Sequence, residues 1–459
     1  MKKFLIISIL IILFIALLPL VGNKIVEDEL KNRIELLTSY GVKVQNSATD
    51  SNYFSTKRHY EFLLSDAEKF MEYLNQYSDT QLPPYVNAML HGTVIGIDIH
   101  YSNFPLSDSV SVDIYPLSLS SEIAQNIKKS DFGFYNYLKT LLESKGVLYH
   151  IDYNILNREF NGYIKDIKEG HLLEDNSKIT LNISKALYDG EGALIAPTKL
   201  NASADLLGFK VEKPKELFSA DLKGFRSSSI FESETTYASS IMISDIEFLV
   251  KESSFRDTLL QAKNIKVNLS SNTQGAKAEF YAKSSFEDFK LQTDSAKIRA
   301  SDFNYDISLS EVDKDSFEEL RILMAKAKTN STDELQAKME QSIYKIMSKG
   351  VIVTLADFSV EKIGAEDKEA MKGFSIKANI ILAEDANMTK NIRKSPLLLA
   401  KNLTVDAKIK ISKEIFAFVN EKAPMSSLAK MYAKEEGEVL VFDIKYDKGE
   451  LNINGKGLQ

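Results

Sequence analysis

Hydrophobic residues are concentrated at the start of the chain, where the run from Phe4 to Val21 contains no charged residue. As an α-helix this run would be about 27 Å long, which is close to the thickness of a bilayer hydrocarbon core. Lys2 and Lys3 precede the run and favour a cytoplasmic N-terminus. We therefore predict that residues 1–22 form a transmembrane anchor. Its apolar surface is represented by Phe4, Leu5, Leu10, Phe14, Leu18 and Val21.

The alternative interpretation of this run is a cleaved secretory signal. The apolar part of a signal peptide usually has about 7–15 residues and precedes a cleavage site made of small residues. Here the apolar run is longer, and it ends in Leu20-Val21-Gly22, which matches such a site poorly. We therefore predict that the anchor is retained. Both interpretations carry the remainder of the chain across a membrane.

Beyond the anchor, the first third of the chain alternates between helical and strand patterns. Apolar residues at three- and four-residue spacing predict a helix over residues 24–40. An aromatic-rich run bounded by polar turns predicts a strand over residues 54–64, and residues 89–101 and 110–117 are predicted to form two long strands of a hairpin. A second apolar stripe at helical spacing predicts a helix that ends at Gly146.

From residue 147 onward strand patterns dominate. Apolar runs separated by short polar turns at about 8–12 residue intervals predict an antiparallel meander. Two amphipathic stripes near residues 314–350 interrupt it and predict a helical insertion. The cleanest alternation, from Leu403 to Ile411, predicts a strand with one face buried and one face in water. The pattern contains no strict internal repeat, but a loose unit of strand, turn and short amphipathic helix occurs at residues 110–127, 307–320 and 409–419. It is interpreted either as ordinary α+β sequence or as a divergent repeated module.

Together these patterns predict an α+β fold that is predominantly antiparallel β. An N-terminal transmembrane helix is followed by a large curved or elongated β-sheet assembly with packed helices. A length of 459 residues would allow two or three domains, but large β structures often form one unit. We therefore predict that residues 23–459 form a single β-rich body.

Composition narrows the classes of function. The chain is 44% hydrophobic and 26% charged, which is typical of a globular protein rather than a disordered one. Its net charge of −7 is spread along the sequence without a long basic run, so we predict no nucleic-acid partner. Cysteine is absent, which excludes disulfides, thiolate metal sites, a cysteine nucleophile and a lipoprotein attachment.

Candidate chemistry rests on five histidines. The pairs Asp98-x-His100 and His150-x-Asp152 place a carboxylate and an imidazole on the same face of a strand, because side chains alternate. Two such pairs could build a metal site, but we interpret them as residues at the surface or edge of polar strands. No spacing combines a nucleophile, a base and an oxyanion site. We therefore predict no cofactor, no metal and no enzymatic activity.

Short motifs at both ends of the chain occur in a recognisable order. They are Gly41 after an amphipathic helix, Phe54-Ser55 in a strand, His91-Gly92, and Gly449, Leu451, Asn454 and Gly455 near the C-terminus. In this order they resemble the YdgA-like family of bacterial proteins (domain of unknown function 945). Thr93 departs from that pattern, since the family has proline there, and so does Asn52-Tyr53, where a glycine and a bulky aromatic are usual.

The resemblance implies a single-pass anchor in the inner membrane of a Gram-negative cell and a periplasmic β-rich body. It implies no activity. Our leading hypothesis is a non-enzymatic envelope protein whose β-sheet surface binds an apolar ligand such as lipid, or an envelope protein partner. The first alternative is a structural or assembly protein, for example a homo-oligomer, that binds no small ligand. The second is a hydrolase that uses His91, His100 or His150.

Overall fold

The computed structural model describes residues 31–32, 34–52, 55–76, 85–102, 109–194, 196–252, 257–294, 296–329, 332–364, 370–422 and 429–458. Strands account for 58% and helices for 24% of the described residues, which bears out the predicted predominance of antiparallel β structure. The chain divides into two compact units, which we call unit 1 (Met1–Ile230) and unit 2 (Phe231–Gln459). The predicted anchor, residues 1–22, lies outside the described residues.

Unit 1 contains five described helices and eleven strands. The helices are α1 (31–39), α2 (Ala67–Gln76), α3 (Tyr85–Leu90), α4 (Ser121–Ser130) and α5 (Phe132–Glu143). The strands are β1 (Val42–Ser51), β2 (Ser55–Leu64), β3 (Val94–Ser102), β4 (Ser109–Pro116), β5 (Tyr149–Asn154), β6 (Glu159–Ile164), β7 (Ile167–Leu172), β8 (Lys178–Ser184), β9 (Ala186–Ala193), β10 (Ala196–Lys213) and β11 (Glu216–Phe231).

Unit 2 contains four described α-helices, a 3-10 helix and eleven strands. The helices are α6 (Lys314–Thr329), α7 (Asp333–Ser348), α8 (Met388–Lys394), the 3-10 helix (Pro396–Asn402) and α9 (Lys413–Lys422). The strands are β12 (Tyr237–Lys251), β13 (Thr258–Asn272), β14 (Lys277–Gln292), β15 (Lys297–Asp313), β16 (Val351–Gly364), β17 (Met371–Leu382), β18 (Leu403–Ser412), β19 (Lys434–Glu436), β20 (Val439–Asp447), β21 (Glu450–Ile453) and β22 (Lys456–Leu458).

The sheet of unit 1 is an antiparallel succession in which each strand from β1 to β6 pairs with the next. β9 then pairs with β6 and β10, and β10 pairs with β8 and β11. One face of this sheet packs against helices α1 to α3, where Leu37, Phe70 and Val86 join Phe62 and Ile97 in a buried core. Burial of these side chains is the main source of stability for this part of the chain.

The sheet of unit 2 is a regular antiparallel meander from β12 to β18. β20 pairs with β18, and the last strands form hairpins on its other side. The helical insertion predicted near residues 314–350 is confirmed as helices α6 and α7, which lie between β15 and β16. The predicted strand from Leu403 to Ile411 is confirmed as β18.

Two sequence predictions about strands were wrong. Residues 89–93 do not open a strand, because helix α3 continues to Leu90 and β3 begins only at Val94. The break is caused by Gly92, whose φ of +78° is a left-handed conformation typical of a helix C-terminus. The meander is also not built of short strands, since β12 to β15 have 15 to 17 residues each.

Residues with left-handed φ values lie in or beside the long strands of each unit, and the alternation of side chains shifts at these positions. These positions are called the crease below. In unit 2, Asn264 of β13 and Asp302 of β15 have left-handed φ values of +52° and +51° within their strands. The alternation of side chains changes there: Phe286 and Phe289 are three residues apart, yet their ring centroids lie within 5.6 Å. In unit 1, Gly224 of β11 has a φ of +63°, and Lys185 between β8 and β9 has a φ of +47°.

Candidate functional site

Unit 2 has an apolar sheet face, made of residues directly opposite one another on neighbouring strands. Its first row is Val267, Ser284, Tyr305, Phe358, Ile376, Ile409 and Phe442. Its second row is Leu269, Ala282, Ile307, Leu355, Ala378, Ala407 and Ile444. Its third row is Phe280, Leu309, Val353, Ile380, Val405 and Tyr446. These three rows are called the apolar face below.

Ring contacts show that these side chains share one side of the sheet. Phe358 lies edge-on to Phe303, Tyr305 and Phe374, with ring centroids 5.2 to 6.0 Å apart. Strands lie about 4.8 Å apart, so the first row, which crosses seven strands, measures about 29 Å. This length is about twice the thickness of one bilayer leaflet, whose hydrocarbon accounts for half of about 30 Å.

The opposite face of the same strands is polar and charged. Lys283 lies 3.3 Å from Asp306, and Lys408 lies 3.6 Å from Asp443, each pair joining two strands. Thr354 donates a hydrogen bond of 3.0 Å to the side chain of Asn379. Unit 2 therefore has an amphipathic sheet with a hydrated face and an apolar face.

The apolar face is only partly covered. Every residue of its three rows is half-buried, except Phe442, which is buried. Helices contact the face near the ends of its strands: Phe317 of α6 lies 4.7 Å from Phe280, and Phe416 of α9 lies 6.4 Å from Phe442. An apolar surface of this extent that is not fully buried is typical of a site that binds a ligand or partner.

Unit 1 carries a second candidate site on the polar face of its sheet. His59, Asp98, Asp113 and His150 lie directly opposite one another on β2, β3, β4 and β5. The His59 Nδ1 atom is 2.6 Å from Asp98 Oδ1, and the His150 Nδ1 atom is 2.7 Å from Asp113 Oδ1. These four residues are called the histidine–aspartate row.

Each imidazole of the row also meets a carboxylate of its own strand. His59 Nε2 lies 3.3 Å from Glu61, and His150 Nε2 lies 3.2 Å from Asp152. A neutral imidazole has one N–H, so only the imidazolium donates to both carboxylates. Partial burial lowers the pKa of both imidazoles. The hydrogen bonds from Asp98 and Glu61 to His59, and from Asp113 and Asp152 to His150, outweigh it, so that both pKa values are raised.

A lysine and a tyrosine complete the surroundings of Asp98. Lys145 forms an ion pair with Asp98 and lies 4.2 Å from the centroid of the Tyr115 ring, while the Tyr115 hydroxyl donates to Asp98 over 3.0 Å. Burial raises the pKa of Asp98, but hydrogen bonds from Lys145, His59 and Tyr115 outweigh it, so the pKa is lowered. Burial and the charge of Asp98 raise the pKa of Tyr115 to about 12.

The predicted histidine pairs are only partly brought together. His150 and Asp152 do contact each other, but Asp98 pairs with His59 across the sheet rather than with His100. His100 lies opposite Ser111, whose hydroxyl donates to Asp152. His91 is exposed in the turn between α3 and β3. Within the described ranges, no group of three or more histidine, aspartate or glutamate residues could hold a metal ion.

Gly41 and Gly92, two of the N-terminal motif residues, lie in turns. Gly41 has a φ of +84°, and a Cβ atom there would overlap the Asp66 carbonyl oxygen. The Gly92 N–H donates to the Leu64 carbonyl over 2.7 Å, and a Cβ atom at this glycine would overlap Ser121 Oγ. The predicted motif residue Phe54 is outside the described residues, and Ser55 begins β2.

The C-terminal motif residues form two consecutive turns. Lys448 and Gly449, both with positive φ, connect β20 to β21, where Leu451 lies opposite Tyr446. The Asn454 side chain donates to the carbonyls of Tyr432 and Val441 over 2.7 and 2.8 Å. Gly455 has a φ of +81° in the next turn. These contacts position backbone and show no surface for a ligand.

Sequence reasoning missed His59, Asp113 and Glu61. His59-x-Glu61 has the same two-residue spacing as the pairs that were noticed, so the same-face signal was present. The contacts to Asp98 and Asp113 depend on the register between strands, which no single strand encodes.

The comparisons with protein-family models, curated proteins and solved structures found no match. The resemblance to the YdgA-like family therefore stays a prediction. Among the helices of the described ranges, none is both long enough and apolar enough to cross a membrane.

Proposed function

We propose that this protein is a non-enzymatic binding protein whose unit 2 sheet binds the hydrocarbon part of a lipid. The observation that carries this proposal is the apolar face, which spans seven strands and whose residues, apart from Phe442, are half-buried rather than fully buried. Burial of apolar area contributes about 25 cal/mol per Å², or about 0.8 kcal/mol per methylene group. A hydrocarbon chain gains more from such a surface than a polar ligand does.

The chemistry of the face favours a hydrocarbon over other ligands. Its three rows contain no charged side chain, and its only side-chain polar groups are the hydroxyls of Ser284, Tyr305 and Tyr446. A peptide or sugar would lose hydrogen bonds to water on this surface without replacing them, which costs free energy. An acyl chain has no such groups to satisfy.

We propose the inner membrane as the site of action, with the body held in the periplasm by residues 1–22. This rests on the uncharged run from Phe4 to Val21 and on the lysines before it. A membrane anchor would hold the apolar face close to a source of lipid. If position matters in this way, a form of the protein released from the membrane should lose function in cells, whereas an equally active secreted form would contradict the anchor.

The test of lipid binding uses two neighbouring residues of β17 that lie on opposite faces. Ile376 belongs to the apolar face, and Lys377 is exposed on the polar face. We expect lipid extraction and mass spectrometry of the purified protein to recover lipid from wild type and from Lys377→Asn, and much less from Ile376→Asn. Recovery of detergent alone from all three proteins would reject the proposal.

The histidine–aspartate row supports a non-enzymatic role rather than the hydrolase alternative. A general base needs a free imidazole nitrogen directed at its substrate. In His59 and His150, both nitrogens already contact carboxylates. The row is therefore better suited to holding β2 to β5 together than to removing a proton from a substrate.

A second candidate function is assembly with another protein through strand β1. Among the described residues β1 pairs only with β2, and every residue of β1 after Val42 is exposed. An unpaired strand edge can accept a strand from another chain. Crosslinking in cells from a residue such as Lys43 would capture that chain, and an absence of crosslinked species would remove this candidate.

A further inference from the structure

Two hydroxyl groups interrupt the first row of the apolar face. Ser284 of β14 and Tyr305 of β15 lie directly opposite each other in the first row, with Val267 and Phe358 on either side. The Cβ atoms of directly opposed residues are about 4.5–5.5 Å apart. Both residues are half-buried. They are the two hydroxyl-bearing residues of the first row, and the residues on either side of them in that row are apolar.

Neighbouring contacts show which side of the sheet the two residues face. The ring of Tyr305 lies edge-on to Phe358 with centroids 6.0 Å apart, and Phe286 stacks on Phe303 at 4.7 Å one row away. Lys283 and Asp306, the sequence neighbours of Ser284 and Tyr305, point to the polar face and form an ion pair there.

The structure gives neither hydroxyl a hydrogen-bond partner among the residues it describes. Tyr446, a tyrosine at the end of the same face, differs because its hydroxyl donates to the Ala400 carbonyl over 3.1 Å. A half-buried hydroxyl without a partner loses part of its hydration, and a ligand that supplies an acceptor recovers this loss. Tyr446 thus has a structural partner, whereas Ser284 and Tyr305 are available to a ligand.

We propose that Ser284 and Tyr305 donate hydrogen bonds to the carboxyl or ester oxygens of a bound acyl lipid. This inference rests on the proposed function, since it assumes that the apolar face holds the hydrocarbon. Carboxyl and ester groups have two oxygens that accept hydrogen bonds, and they lie at one end of the acyl chain. The two hydroxyls fix where that end sits on the face, and they select acyl lipids over hydrocarbons without oxygen.

The test uses the full chain held in amphipol, so that no detergent micelle competes for the ligand. Palmitic acid, methyl palmitate and hexadecane would each displace a fluorescent alkyl probe from wild type, Ser284→Ala, Tyr305→Phe and Tyr446→Phe. Both key substitutions remove one hydroxyl and keep the hydrocarbon part of the side chain. Tyr446→Phe is the matched control, because it removes a hydroxyl that already has a protein partner.

We expect wild type to bind palmitic acid or methyl palmitate more tightly than hexadecane. Ser284→Ala and Tyr305→Phe should each weaken binding of the oxygen-containing ligand by about threefold to tenfold, which is what one net hydrogen bond contributes. The affinity for hexadecane should not change. A preference for palmitic acid alone would identify a free carboxyl group as the ligand, and equal binding of the methyl ester would identify an ester carbonyl.

The outcomes separate this inference from the proposed function. If hexadecane, palmitic acid and methyl palmitate bind equally well, or if the two substitutions leave all affinities unchanged, Ser284 and Tyr305 do not bind the lipid oxygens. The proposal of lipid binding would then still stand. If neither the fluorescent probe nor any of the three ligands binds wild type, the proposed function itself is wrong. If Tyr446→Phe lowers the preference as much as Tyr305→Phe does, the effect is structural and the assignment also fails.

Discussion

The two units have amphipathic antiparallel sheets of similar chemistry that differ in how far their apolar sides are covered. In unit 1 the apolar side is covered by helices α1 to α3, and residues such as Ile97 and Ile151 are 1% and 0% exposed. In unit 2 the corresponding side chains, such as Ile376, stay half-buried. An alternating pattern therefore indicates that a strand has an apolar face. Whether that face becomes a core or a binding surface depends on what covers it.

The largest expected effect tests this difference in burial. Ile151→Ala should lower the free energy of unfolding by about 2–5 kcal/mol, because the residue is fully buried and its loss leaves a cavity. Ile376→Ala should cost much less, because its side chain is already partly in water. Urea unfolding of the full chain, followed by circular dichroism, measures both. Equal losses would mean that the apolar face is an ordinary core.

The second effect concerns the crease, which both units share. Gly224→Val and Asn264→Val should each cost about 1–3 kcal/mol, since a β-branched residue is strained at the left-handed φ of these positions. Asn264→Gly is the control and should be nearly neutral, because glycine adopts this conformation freely. The same unfolding experiment applies. A valine variant as stable as the glycine variant would show that the crease is not required.

The third effect is a pH dependence confined to unit 1, since all five histidines lie before residue 231. The pKa values of His59 and His150 are raised in the folded state. Their contribution to stability is therefore fully present below the unfolded pKa of about 6.5 and is lost as pH rises through the folded pKa. We expect about 1 kcal/mol or less for each histidine, because both are partly exposed.

Substitution of His59 and His150 tests whether these two residues cause the pH dependence of stability. His59→Gln together with His150→Gln should flatten the dependence of the urea midpoint on pH above about 6.5. His100→Gln, at an exposed histidine of the same sheet, should leave the dependence as in wild type. An unchanged profile in the double variant would show that the row does not control stability.

The smallest expected effect lies on the polar face of unit 2. Lys408→Ala should change stability by about 0.5 kcal/mol or less, because its pair with Asp443 is exposed. Lipid recovery should stay at the wild-type level, since Lys408 is not part of the apolar face. A clear loss of bound lipid in this variant would indicate that the ligand binds the polar face, which contradicts the proposal.

Much of the fold was predictable from local patterns. β18 was recognised from its strict alternation, and helices α6 and α7 from their apolar stripes. The long strands were harder, because alternation changes phase at the crease. Ala262 and Ile265 lie on either side of Asn264 and are three residues apart. A search for strict alternation therefore divides the single strand β13 into two shorter strands.

The left-handed positions themselves gave a partial signal in the sequence. Gly224, Asn264 and Asp302 lie within β11, β13 and β15, Lys185 lies between β8 and β9, and each of the four stands just before an apolar residue. Glycine, asparagine and aspartate are the residues that tolerate this conformation best, so a signal existed at three of these four positions. The histidine–aspartate row had no such signal, because it depends on the register of four strands.

The most direct test of lipid binding by the apolar face is photo-crosslinking in cells from two adjacent positions of β17. A photoreactive amino acid at position 376 would lie on the apolar face, and the same residue at position 377 would lie on the polar face. We expect mass spectrometry to detect a lipid adduct at position 376 and none at position 377. Adducts at both positions, or only a protein adduct at position 376, would contradict the assignment of this face to lipid.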